Sequence, residues 1–274
     1  MGFNLKDAVA QAKAKGQDMT KAQKGGGDFE LPPEGFVSLR FMQYIETGDK
    51  ESTWQGVKKV KPGAELVFEL SGPKHQPREI DGVKYPHMVT ERVNISLSEN
   101  AALFKLFTAM NWEGKATHIA ELLGQPFIGR IEHNPTKIDG KDFTYINIRD
   151  IRKPFVPNVV TGEEDRVEVA QPISQQRLFL WNFATPEMWD ALYIEGMTAE
   201  KKNDKGEVIR EARSKNVIQE KIRRALNWKG CPIYDYANSK ISKADNAALD
   251  AAIGGVEEAG APSDTGSDPL DGVA

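Results

Sequence analysis

Between Glu34 and Asp150 the chain runs through five amphipathic stretches with a helical insert after the third, and this order restricts the folds open to it. Val37, Leu39, Phe41 and Ile45 alternate with Ser38, Arg40, Met42, Tyr44 and Glu46, which predicts a first strand over 35–46 with one apolar face. A second strand is predicted over 64–70. A third, over 87–97, sets Val89, Val93, Ile95 and Leu97 on one side. Ser98 is placed to cap a helix carrying Leu103, Phe104, Leu106, Phe107 and Met110, and a second short helix over 115–123 ends at Gly124. Strands over 126–134 and 142–150 follow, joined by the hairpin pair Asp139-Gly140. A helix between the third and fourth of five strands is where an OB barrel keeps its helix. The expected fold is therefore mainly β, a five-stranded OB-fold barrel with helical additions; other five-stranded barrels and α+β folds use the same string of elements.

The flanks divide the rest. Residues 1–30 are expected to form a basic, flexible arm, with Lys6, Lys13, Lys15, Lys21 and Lys24 and a Gly25-Gly26-Gly27 joint. Residues 31–150 form the core, and 151–238 a helical extension packed on it. That extension begins as a strap containing Pro154, Pro157 and Pro172, then carries a helix capped by Thr185 with Pro186 in its first turn. Asn203-Asp204-Lys205-Gly206 is a turn suited to a hairpin tip, and Asn216 opens another helix reaching about Trp228. Residues 239–274 are expected to be a disordered acidic tail. Seven acids and no Lys or Arg lie beyond Lys243, so a total charge of −4 conceals a body at +3.

Chemistry is poorly represented. His75, His87, His118 and His133 show no metal-ligand spacing, and each fits an ordinary polar or capping role. There is no phosphate-binding glycine loop, no nucleophile elbow and no strand-embedded carboxylate pair of the kind a metal nuclease uses. The single cysteine, Cys231, excludes an internal disulfide and suits a reducing cytoplasm. The opening residues lack the apolar core of an export signal, and no run of about 18 apolar residues suggests a membrane span. Neither an enzyme nor a cofactor or metal is expected.

Binding signals are stronger. Nonspecific recognition of a single strand needs cations that follow phosphates and flat side chains on which bases stack. Residues 47–63, read as a loop, supply Trp54, Lys58, Lys59 and Lys61. Residues 71–86, also read as a loop too rich in Gly and Pro for regular structure, add Lys74, Arg78, Lys84 and Tyr85. The last hairpin adds Lys137, Lys141, Phe143, Tyr145 and Arg149, while Arg40, Tyr44 and Arg92 are expected outward on the barrel between these groups.

The stretches GGGDFELPPEGFVSLRFMQYIETG, ELVFELSGPKH, LFKLFTAMNWEGKATHIAELLG and QRLFLWNFATPEMWDALYI resemble the single-stranded-DNA-binding proteins of tailed bacteriophages, and SKNVIQEKIRRALNW is similar to part of the same family. The likeness spans roughly residues 25–236. It implies an OB-fold protein that coats single-stranded DNA during replication, recombination and repair in the cytoplasm of an infected bacterium. It also implies a tail, here with Asp264, Asp268 and Asp271, that recruits viral or host replication proteins, although this tail shows no terminal aromatic. Two further functions suit the same sequence: a replisome adaptor and a strand-annealing recombination factor. Oligomeric state is left open.

Overall fold

A computed structural model describes residues 31–54, 57–80, 82–138, 141–203, 206 and 208–240. The expected basic arm over 1–30, the Asp139-Gly140 turn and nearly all of the expected acidic tail lie outside the described residues. Strand β1 (Gly35–Trp54) is the axis of the fold. It pairs antiparallel with β2 (Val57–Ser71) and, through Gly35–Arg40, with β6 (Pro126–Ile138). Strands β5 (His87–Asn94) and β7 (Lys141–Arg152) extend this to one antiparallel sheet in the order β5-β2-β1-β6-β7. Helix α1 (Ala102–Met110) lies against both edge strands, burying Leu103 and Met110.

The expected closed barrel is not formed: among the described residues the hydrogen-bonded ladder is open at β5 and β7. The two edges meet through a side chain instead. The Glu91 carboxylate on β5 accepts from the Ile148 N–H on β7 at 2.6 Å, occupying an edge donor that a closing β5–β7 ladder would otherwise use. Burial pushes the Glu91 carboxyl upward, opposed by that hydrogen bond and by the charges of Arg149 and Arg92.

Alternation fills the first core. Leu39 and Phe41 from β1, Leu66 and Phe68 from β2, Val89 from β5, Phe127 and Ile131 from β6 and Ile148 from β7 all converge there. Each large apolar side chain buried in this way contributes about 1.5–3 kcal/mol. The alternation breaks at Met42, where the β1–β2 register shifts between Phe41 and Gln43. A bulge of this kind inserts one residue and reverses the side on which later side chains fall. Tyr44, expected outward, therefore enters the first core at 1% exposure, while Ile45, expected in that core, joins a second one.

The first expected loop is strand throughout its described residues, and the second carries a short hairpin. Residues 47–63 continue the β1–β2 ladder as far as the Trp54–Val57 pair, although Gly, Lys, Pro and Asp outnumber the strand-favouring Thr47, Thr53, Val57 and Val60 there. Within 71–86, β3 (Arg78–Ile80) and β4 (Val83–Tyr85) make a hairpin, with Gly82 next to its tip at φ +76°. Conversely, β5 stops at Asn94 and leaves Leu97 exposed. Helix α1 starts later than expected and without a side-chain cap; Ser98 contributes only its carbonyl, to the Ala101 N–H. The second short helix is a single 3-10 turn, Ile119–Leu122, closed by reciprocal bonds between His118 and Glu121.

After β7 the chain forms the hairpin of β8 (Phe155–Pro157) and β9 (Glu164–Arg166), then crosses the outer face of β1 and β2 as a strap. Strand β10 (Arg177–Phe179) joins β1 in parallel at Gln43–Ile45. Helices α2 (Pro186–Ala191), α3 (Val217–Arg223) and α4 (Tyr234–Ser239) follow, α2 being capped by the Thr185 hydroxyl, which accepts from Met188 N–H. They enclose a second core of Ile45, Phe179, Trp181, Trp189, Ile222 and Trp228. Trp189 and Trp228 stack at 5.4 Å, and the Arg223 guanidinium stands 5.1 Å from the first ring and 5.8 Å from the second. Gly48, at φ +73°, sits where a Cβ would fall 2.3 Å from the Trp181 ring, so the second core closes directly on the β1 backbone. The thiol of Cys231 is buried in this core, and burial raises its pKa. Residues 200–211 form a separate unit containing the hairpin of β11 (Lys201–Lys202) and β12 (Val208–Arg210).

A buried ionic clasp links α3 to the sheet. Glu65 on β2, with its side chain 7% exposed, accepts from Lys221 at 2.6 and 2.8 Å and from Arg92 at 3.1 Å. Burial raises its carboxyl pKa, but Lys221, the hydrogen bond from it, and the charges of Arg92 and Lys50 outweigh burial and hold it below the ordinary 4.5. A depressed carboxylate stabilises fully above its unfolded pKa and loses that contribution as pH falls through the folded value. Acid titration of stability should thus show a loss beginning near pH 4.5 and continuing downward, and Glu65→Gln should flatten this limb in urea unfolding measured across pH.

Candidate nucleic-acid interface

Positions directly opposite in an antiparallel ladder share a face, which sorts the expected binding residues. On the β1–β2 arm, Lys50 is opposite Lys61, and Lys59 shares their side of the ribbon two residues along β2. Glu51 and Lys58 lie on the other side, bridged at 2.7 Å. Like charges placed opposite one another destabilise a ribbon, so a lysine face of this kind is suited to a polyanion. Trp54 ends β1 near the tip; its side chain lies outside the described residues, as does that of Lys141.

The outer face of β6 and β7 carries Thr136 opposite Phe143, Asn134 opposite Tyr145, and Glu132 opposite Asn147. Phe143 is 47% exposed and Tyr145 half-buried. Three residues absent from the sequence expectations complete this face. Phe36, 69% exposed, pairs across β1–β6 with Arg130, and Arg152 stands 5.9 Å from the Phe36 ring centroid. Phe36 shares the parity of Ser38 and Arg40, so alternation alone marked it as outward. Arg152 lay beyond the expected strand end, and a register shift between Ile128 and Arg130 brings it into line.

Glu132 moderates the cationic character, lying 3.9 Å from Arg130 and 3.7 Å from Arg149. Lys137 and Asp142 are 3.6 Å apart nearer the hairpin end. Solvent-exposed pairs of this type contribute only about 0–1 kcal/mol, so an incoming phosphate can take over these cations at small cost.

The expected groove on β1, β2 and β5 is differently used. The Arg40 guanidinium donates to the carbonyls of Gly124 at 2.8 Å, Val169 at 3.1 Å and Ala170 at 2.9 Å, holding the strap. Glu69 completes the hold, accepting from the Ile173 and Ser174 N–H groups, each at 2.8 Å, and from the Ser174 hydroxyl. Tyr44 is buried and donates to Glu46 at 3.2 Å, while the other Glu46 oxygen accepts from Trp181 N–H at 2.7 Å. Burial, and then the Glu46 carboxylate, push the Tyr44 phenol pKa upward. Arg92 is exposed but engaged by Glu65. Lys74 and Tyr85 are exposed on the 71–86 segment, Tyr85 opposite Arg78. Asp264, Asp268 and Asp271 lie outside the described residues.

Among the described residues, no group of three or more His, Cys, Asp or Glu gathers as a metal site, and no helix is long and apolar enough to cross a membrane. The chain matches no protein-family model, no curated protein and no solved structure.

Proposed function

We propose that this chain binds single-stranded DNA without sequence preference, as a non-enzymatic coating protein, through the outer face of β6–β7 and the lysine face of the β1–β2 arm. The observation that carries this is one face that holds exposed Phe36 and Phe143 and half-buried Tyr145 together with Arg130, Arg149 and Arg152, since stacking rings beside cations suit bases and phosphates together. An OB-type architecture agrees with the order of the five long strands, with α1 between the third and fourth of them, and with the Glu91 bridge between the sheet edges. The resemblance to phage single-stranded-DNA-binding proteins supports the same role, in viral replication and recombination within a bacterial host.

A salt-resolved titration of the full chain with an unstructured oligonucleotide tests it. With about five phosphates neutralised, the slope of log affinity against log salt should be roughly −3.5. Absence of binding at low salt removes the proposal. The strap over β1–β2 favours a second reading, a replisome adaptor whose partners meet other surfaces. That protein would bind the oligonucleotide only weakly, yet hold a purified polymerase, helicase or nuclease stably and lose it on deletion of 244–274.

A further inference from the structure

At the end of β7 the chain presents a second aromatic pair. Trp112, just after α1, and Phe155, the first residue of β8, meet at 68° with centroids 5.7 Å apart. The Lys153 ammonium stands 5.5 Å from the Phe155 centroid and also pairs with Glu164 at 2.5 Å, both side chains being partly exposed. Trp112 is 43% exposed, whereas Trp181, Trp189 and Trp228 are buried in the second core, and Trp112 belongs to neither core. An inclined pair leaves a face of one ring uncovered by the other. Arg152 and Lys153 are consecutive, the first over Phe36 and the second over Phe155. Arg152 and Phe155 are three residues apart, so their Cα atoms are separated by no more than about 11 Å. Two ring-and-cation pairs thus follow one another at the β7 end of the candidate interface. The route across β1–β2 is occupied by the strap, pinned through Arg40 and Glu69.

We propose that Trp112 and Phe155, with Lys153, form a second base-stacking subsite, so that a single strand lying on the β6–β7 face continues past the end of β7 instead of crossing β1–β2. The subsite rests on the single-strand-binding function proposed above and deepens it. Rings supply sequence-tolerant stacking, and the adjacent cations meet the phosphates between stacked bases.

Fluorescence anisotropy of the full-length protein with oligothymidylates of about 6 and about 24 nucleotides, the first near the short end of the roughly 4–16 nucleotides one OB-type domain covers and the second beyond it, tests the path. Trp112→Ala should weaken binding of the long oligonucleotide by roughly ten-fold, as expected for a lost stack, and leave the short one unchanged. Trp112→Phe, which keeps a stacking face, should recover most of the loss. Phe155→Leu, which keeps apolar volume beside Trp112, should weaken the long oligonucleotide several-fold, about the low end for a lost stack. Wild-type binding with both Trp112→Ala and Phe155→Leu indistinguishable from it on the long oligonucleotide would overturn the subsite and leave the β6–β7 interface standing. Failure of the wild-type protein to bind either oligonucleotide at low salt would overturn both.

Discussion

Replacing Phe143 and Tyr145 together by alanine should weaken binding of an unstructured oligonucleotide by about 2–6 kcal/mol, since each lost stack costs about 1–3 kcal/mol. That is at least roughly thirty-fold in affinity, read by anisotropy at low salt. Both residues lie on the outer face of β7, opposite Thr136 and Asn134, and neither belongs to a buried core. The cost to folding should therefore stay near the ~1 kcal/mol span of strand propensities, and circular dichroism should show an intact sheet. Arg149→Ala should behave differently, making the salt slope shallower by about 0.7 with a smaller loss of affinity. Wild-type affinity in the double variant would place the bases elsewhere, with the lysine face of the β1–β2 arm as the next surface to test.

The long strands were legible because alternation fills one face with apolar residues: Leu39 and Phe41, and Phe127 with Ile131, lie in the first core on the inner side their spacing predicts. What alternation does not carry is a change of parity. The bulge at Met42 has no marker in side-chain chemistry, so Tyr44 and Ile45 exchanged roles. Polar ribbons are hidden for a related reason. Lys58 and Glu51 stabilise the arm across its strands rather than through burial, and a reading based on apolar periodicity takes such residues for a loop. Of the candidate site, Phe143, Tyr145 and Arg149 fell on the outward side as their spacing required. Arg40 did not reach open solvent, because the carbonyls that engage it come from Gly124, 84 positions away, and from Val169 and Ala170, 129 and 130 away, separations no local pattern reports.

The extension is integral to the sheet, and this bears on where a ligand can lie. Strand β10 hydrogen-bonds beside the β1 bulge, Glu65 is clasped by Lys221, and Asp49 N–H donates to Asn227 at 2.8 Å while its carbonyl accepts from Leu226 N–H at 3.0 Å. These contacts fix the base of the β1–β2 arm. The register sends the two hairpins from opposite ends of β1: the β1–β2 arm continues past its C-terminal half, and β6–β7 past Gly35. With the outer face of β1 and β2 covered between them, the exposed rings that share a face with arginines lie on β6–β7 and at the β7 end, and among the described side chains the β1–β2 arm contributes lysines alone.

Trp189→Ala should destabilise the protein by about 3–5 kcal/mol, the range for removing a large aromatic from a packed interior. Trp189 is 2% exposed, stacks on Trp228 and carries Arg223 over its face, so the change opens a cavity and removes a cation–π contact together. Against a typical total of about 5–15 kcal/mol this is a large fraction. Because β1 contributes Phe41 to the first core and Ile45 to the second, the two cores should unfold together, giving one urea transition displaced to lower concentration. Two separated transitions would instead show that the extension detaches while the sheet persists. Oligonucleotide affinity, measured where the variant remains folded, should match wild type, since neither β6–β7 nor Trp112 contributes to the second core. A gain in affinity would mean that releasing the strap uncovers a better binding face on β1–β2, and would relocate the principal interface there.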